Sequence, residues 1–155
     1  MFVLRFLALV VLLNLVRYFV GGVIEAWTVL PPLFAAMEAS SEYFSTRFTT
    51  FDWVTSFLYN FGVWLCAAWF FHLARPRLPG SDLVASLQSF ALAWLFFASV
   101  SGVYMNHYAH PGDFYFWNVL DAVIAFTVVA VANGLLYRWV MGPYAAPKAL
   151  PGSDA

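Results

Sequence analysis

The sequence predicts an all-α bundle of four transmembrane helices, on three observations. Four apolar runs, 2–23, 51–73, 83–104 and 114–140, take up most of the 155 residues. Each is near or above the ~20 residues a helix needs to cross the hydrocarbon. Charged residues make up 10% of the chain and hydrophobic ones 63%, whereas a soluble domain carries about 25% charged. In lipid every backbone polar group must be satisfied internally, so the spans are expected to be helices. Residues 1–142 then form one transmembrane domain. Residues 143–155, with three prolines, are expected to be a disordered cytoplasmic tail.

The first run is longer than the ~7–15 apolar residues of a secretory signal and has no convincing small-residue cleavage site after it. It is therefore read as a retained helix. It carries Asn14 and Arg17, three apart and so on one face. The loop 24–52 follows, and Pro31-Pro32 within it is expected to stop any helix running on from the first span. Beyond the prolines, Leu33, Phe34, Met37, Ser41 and Phe44 lie near one helical face, with Glu38 and Glu42 on another. That pattern predicts a short amphipathic helix on the outer membrane surface, capping the bundle.

Thr49 and Asp52 offer an N-terminal cap for the second span, placing a carboxylate at the positive end of the helix dipole. The span holds Asn60 and Cys66 and ends near His72, before a tight turn at Arg75-Pro76-Arg77. The third span carries Gln88, Ser99, Ser101 and Asn106. Asp113 is placed to cap the fourth, which carries Asn118, Asp121 and Asn133.

The distribution of basic residues gives an orientation. Arg5, Arg75, Arg77, Arg138 and Lys148 fall on one side, and a lone Arg47 faces Glu25, Glu38, Glu42, Asp52 and Asp113 on the other. Both termini are expected in the cytoplasm, and the membrane is read as a bacterial inner membrane. Arg17 then lies about six residues below the outer surface and Asp121 about seven, at nearly one depth for a rise of ~1.5 Å per residue. An ion pair between the first and fourth helices is expected, because an unpaired charge there would cost several kcal/mol. Asn14, Asn60 and Asn118 lie in the same outer half and would complete the network. Such a network either locks two helices together or lines a polar pocket open to the outside.

The third loop places His107 and His110 three apart, with Asp113 three further on. Two imidazoles and a carboxylate form a candidate transition-metal site, to which Glu25, Glu38 or Glu42 would add an oxygen. Histidine also titrates near neutral pH, so proton sensing or transfer is the other chemistry open to this loop. Elsewhere the chemistry is sparse. Cys66 is the single cysteine, which excludes an intramolecular disulfide and a paired-thiol redox motif. His72 has no imidazole at its own depth, so no intramembrane haem is expected. The first span has no carboxylate midway along it, unlike the small multidrug exporters, and the net charge of -1 argues against nucleic-acid binding.

No catalytic motif is visible. The leading expectation is an accessory or assembly subunit of a larger membrane complex, in contact with other membrane subunits, with its own copies and with the lipid bilayer. Two alternatives stand beside it: a small transporter or ligand-binding protein built around Arg17 and Asp121, and an outward-facing metal or redox site at His107 and His110.

Overall fold

A computed structural model of the chain describes residues 1–44, 47–107 and 112–143, except the side chains of residues 106, 107 and 112. The described residues hold four helical stretches long and apolar enough to cross a membrane, and they mark the chain as an integral membrane protein. The first span is α1 (Phe2–Val16), a single π-helical turn (Arg17–Gly21) and α2 (Gly22–Trp27) in unbroken succession. A shorter helix, α3 (Leu30–Glu38), follows. The remaining spans are α4 (Thr50–Ala74), α5 (Asp82–His107) and α6 (Gly112–Met141), with a 3₁₀ turn, Arg75–Arg77, between α4 and α5.

Two boundaries differ from the sequence reading. The first span does not end at Val23. Its helix runs on through Trp27 and so includes Glu25, where the sequence reading places a loop. Nor does Pro31-Pro32 lie outside a helix. The two prolines fall within the first turn of α3, where a missing N–H costs nothing because that donor has no partner in the helix anyway. α3 buries Leu33 and Ala36 and packs on α6. The expected cap on α4 is present. Asp52 donates its backbone N–H to Thr49 Oγ1 at 3.4 Å, and Asp52 Oδ2 accepts from the Thr49 N–H at 2.7 Å. This reciprocal box satisfies two otherwise orphan donors.

α6 is the hub of the bundle, packing on α1, α3, α5 and the π turn. The core is drawn from all four spans: Leu9, Val10 and Leu13 of α1, Trp64, Ala68 and Phe71 of α4, Ala85 and Phe90 of α5, and Val129, Ala130 and Tyr137 of α6. The α5–α6 crossing is close because small residues line it. Ser86 Oγ donates to the Ala130 carbonyl at 2.7 Å, and Asn133 Nδ2 donates to Ser86 Oγ at 3.0 Å. In hydrocarbon, helices associate through such close approach and interhelical hydrogen bonds rather than through a hydrophobic force.

One end of the bundle gathers the basic residues. Arg75 folds back to donate from Nε to Asp82 Oδ1 at 2.6 Å and from Nη1 and Nη2 to the Leu78 and Gly80 carbonyls. Arg138 of α6 also pairs with Asp82. Arg5 reaches the Met141 carbonyl at 3.4 Å. Four elements are thereby tied at one level, and His72 adds a hydrogen bond with the Tyr137 hydroxyl between α4 and α6.

Candidate functional site

At the opposite end, the polar residues of the first span sit inside the bundle. Arg17 opens the π turn, and Arg17 Nη1 donates to Glu25 Oε2 at 2.7 Å. The guanidinium side chain is 14% exposed and the carboxylate side chain 3%. The π turn accounts for this pairing. Residues eight apart on a regular α-helix stand about 80° out of register. One extra residue taken into a turn removes about 100° of rotation, leaving the two side chains within about 20° of one face. Helical side chains lean toward the N-terminus, so Glu25 reaches back toward Arg17.

Asp121 of α6 lies within electrostatic reach of both Arg17 and Glu25. The expected Arg17–Asp121 ion pair is therefore corrected: Arg17 pairs within its own span, and Asp121 stands beside the pair. One cation faces two carboxylates. Arg17 Nε, Glu25 Oε1, Asp121 Oδ1 and Asn14 Oδ1 are all buried without a hydrogen-bond partner. Three of these atoms belong to the Arg17–Glu25–Asp121 group, and native proteins leave few such atoms.

A second seam of polar groups joins α1 to α4. Asn14 Nδ2 donates to the Phe57 carbonyl at 3.5 Å. Asn60 Nδ2 donates to the Ser56 carbonyl at 2.9 Å and to the Tyr18 hydroxyl at 3.4 Å, and that hydroxyl lies 3.2 Å from Ser56 Oγ. The Arg17 guanidinium carbon is 5.5 Å from the centroid of the Tyr18 ring.

Beside the cluster lies a cavity of about 840 Å³, walled by Arg17, Tyr18 and Glu25 on the first span and by Asp52, Ser56 and Tyr59 on α4. Its size falls within the ~300–1,000 Å³ of small-molecule sites. No family model, curated protein or solved structure matches this chain. What the cavity does is therefore argued from its own residues.

The structure pairs Arg17 with Glu25, sets Asp121 beside the pair, and places Asn14 and Asn60 in the α1–α4 seam. Asn118, half-buried on α6, has no side-chain partner among the described residues. Of the candidate metal ligands, His110 and the His107 side chain lie outside the described residues. Asp113 sits in the first turn of α6, where Asp113 Oδ1 accepts from the Phe114 N–H at 3.1 Å. Among the described residues no group of three His, Cys, Asp or Glu side chains could hold a metal ion. The sequence reading does not include Tyr18 and Ser56, and it sets Glu25 among the outer-loop acids rather than beside Arg17. Glu25 carried a signal: it is the one charge in the otherwise apolar stretch 18–27.

Proposed function

We propose that this chain is a small ligand-binding or transport protein of the membrane, with its site in the cavity beside Arg17 and Glu25. The observation that carries the reading is the buried Arg17–Glu25 pair on the wall of a ligand-sized cavity. Charges inside a membrane span are costly, face the bundle interior or a water-filled cavity, and mark substrate and ion pathways. The basic residues gathered at the other end support reading that end, with both termini, as cytoplasmic, in a bacterial inner membrane. The cavity then opens outward.

Thiol labelling in intact cells tests this. In a Cys66→Ala background, Ser56→Cys on the cavity wall should react with a membrane-impermeant maleimide, and Ser86→Cys, fully buried between α5 and α6, should not. A Ser56→Cys unreactive in both intact cells and inverted vesicles would mean that the cavity is closed to water, and the reading would fall. Labelling only in inverted vesicles would reverse the orientation while keeping the cavity.

The accessory-subunit reading keeps one observation in its favour. An apolar groove of about 650 Å³ runs between α4 and α5, lined by Gly62, Cys66, Phe70, Phe96 and Val100 among others. A partner's transmembrane helix seated there would make the chain part of a larger complex. A Gly62→Phe change projects a ring into this groove from a position where nothing lies within 4 Å of a Cβ. Under this reading a stoichiometric membrane partner co-purifies with the native chain in mild detergent and is released by Gly62→Phe. Purification of the native chain free of any such partner refutes it.

A further inference from the structure

We infer that the cavity beside Arg17 and Glu25 selects an organic cation with an apolar or aromatic body; the inference rests on the ligand-site reading above. Charge decides the sign. Arg17, Glu25 and Asp52 line the cavity, so its walls carry one positive and two negative formal charges. Asp121, behind them, adds a third carboxylate within electrostatic reach of Arg17 and Glu25. Among the described residues Arg17 is the one cation on the wall, and its Nη1 is already held by Glu25. An anionic ligand would have to displace that carboxylate and then sit among the others. A cation is attracted by the surplus negative charge, most strongly near the buried Glu25 carboxylate, where little water screens it.

The remaining walls decide the class. Trp27, Phe34, Phe48, Trp53 and Tyr59 line the same cavity, and Phe48 stands 6.1 Å from Phe34 and 6.0 Å from Trp53, ring centroid to ring centroid. Aromatic faces attract cations through their quadrupoles, and Trp does so most strongly. They also bury apolar bodies that a hydrated metal ion lacks. A hard inorganic cation wants a shell of six or more oxygens, which these walls do not offer. The occupant of this geometry is a quaternary or otherwise permanently charged onium ion with hydrophobic substituents. It would sit on the aromatic faces with its charge toward Glu25.

Tetraphenylphosphonium and tetraphenylborate share a shape and differ in sign, so they serve as probes. Each is titrated separately into the purified chain in phosphatidylcholine nanodiscs, and the uptake of empty nanodiscs is subtracted. Tetraphenylphosphonium should saturate one site per chain, and tetraphenylborate should show only non-saturable partitioning. Glu25→Gln should weaken the cation at least tenfold. Trp53→Ala, at a side chain that is 61% exposed and therefore outside the core, should weaken it several-fold. Trp139→Ala, near the other end of the bundle, should leave it unchanged. If Glu25→Gln does not fold, Trp53→Ala carries the test. Saturable binding of the borate alone, or of both ions equally, would overturn the cation assignment and leave the ligand site standing. Saturable binding of neither would overturn both.

Discussion

Gly134→Ala will unseat α5 from α6. A Cβ built at Gly134 meets Leu83 Cα at 2.6 Å, Leu83 N at 3.1 Å and the Asp82 carbonyl oxygen at 3.2 Å. All three are main-chain atoms, so no rotamer change relieves the clash. Overpacking costs about 1–3 kcal/mol where side chains can shift; here the helix itself must move, and a loss of at least ~3 kcal/mol is expected. For a chain of this size that lowers Tm by roughly 10 °C. The displacement also pulls at Asp82, which holds Arg75 and Arg138 one residue before Leu83. Gly62→Ala and Gly102→Ala are the controls, since nothing lies within 4 Å of a Cβ at either position. Replacing a helical glycine by alanine in open space is worth up to about 1 kcal/mol in favour of the helix, so these two should match or exceed the wild type. Thermal unfolding in detergent, followed by size-exclusion chromatography, reads all three. Equal stability of the three variants would mean that the α5–α6 contact is looser than described.

That contact was not legible in the sequence, and the reason is general. Hydropathy reports how far each residue prefers lipid to water, and it located four spans because lipid and water differ strongly. It does not report which apolar face meets another helix, because lipid tails and neighbouring side chains are nearly equivalent solvents. Gly134 therefore reads like any other glycine in an apolar run. The same blindness misplaced Glu25. One carboxylate in an apolar stretch suggests a loop, and only the π turn at Arg17–Gly21, which brings Arg17 onto the same face, makes a helix through that carboxylate tolerable. Local chemistry was easier to read. Thr49 and Asp52 close a capping box whose rule spans three residues and needs no tertiary partner. Arg17 reads from the sequence as a costly residue that must be paired, and equal depth points across the bundle to Asp121. The pairing found lies along the chain, eight residues on.

Removing Arg17 alone should be more damaging than removing the whole cluster. Arg17→Leu leaves Glu25 and Asp121 buried near each other with no cation between them. Breaking a buried charge pair from one side costs about 3–5 kcal/mol, because the charge left behind is uncompensated. Glu25→Leu should cost less, since Arg17 keeps Asp121 within reach and its long side chain can turn toward it. The triple change Arg17→Leu, Glu25→Leu and Asp121→Leu removes every one of these charges. Replacing buried ion pairs by apolar residues is often neutral or stabilising by about 1–4 kcal/mol, and a membrane interior strengthens that tendency because stranded polar groups find no water there. The expected order of thermal stability is Arg17→Leu lowest, Glu25→Leu next, then the wild type, with the triple variant equal to it or above. Measured on one set of detergent-purified proteins, that order shows whether the fold depends on the charges, and uptake of the onium ion by the same variants separates a structural role from a ligand-binding one. A cluster kept for a ligand is one the fold can do without, and the triple variant would then be a stable four-helix bundle that no longer takes up the onium ion. Natural chains keep charges in a membrane against such a stability gradient only where the charges act, and a fully folded, non-binding variant would identify that action as recognition.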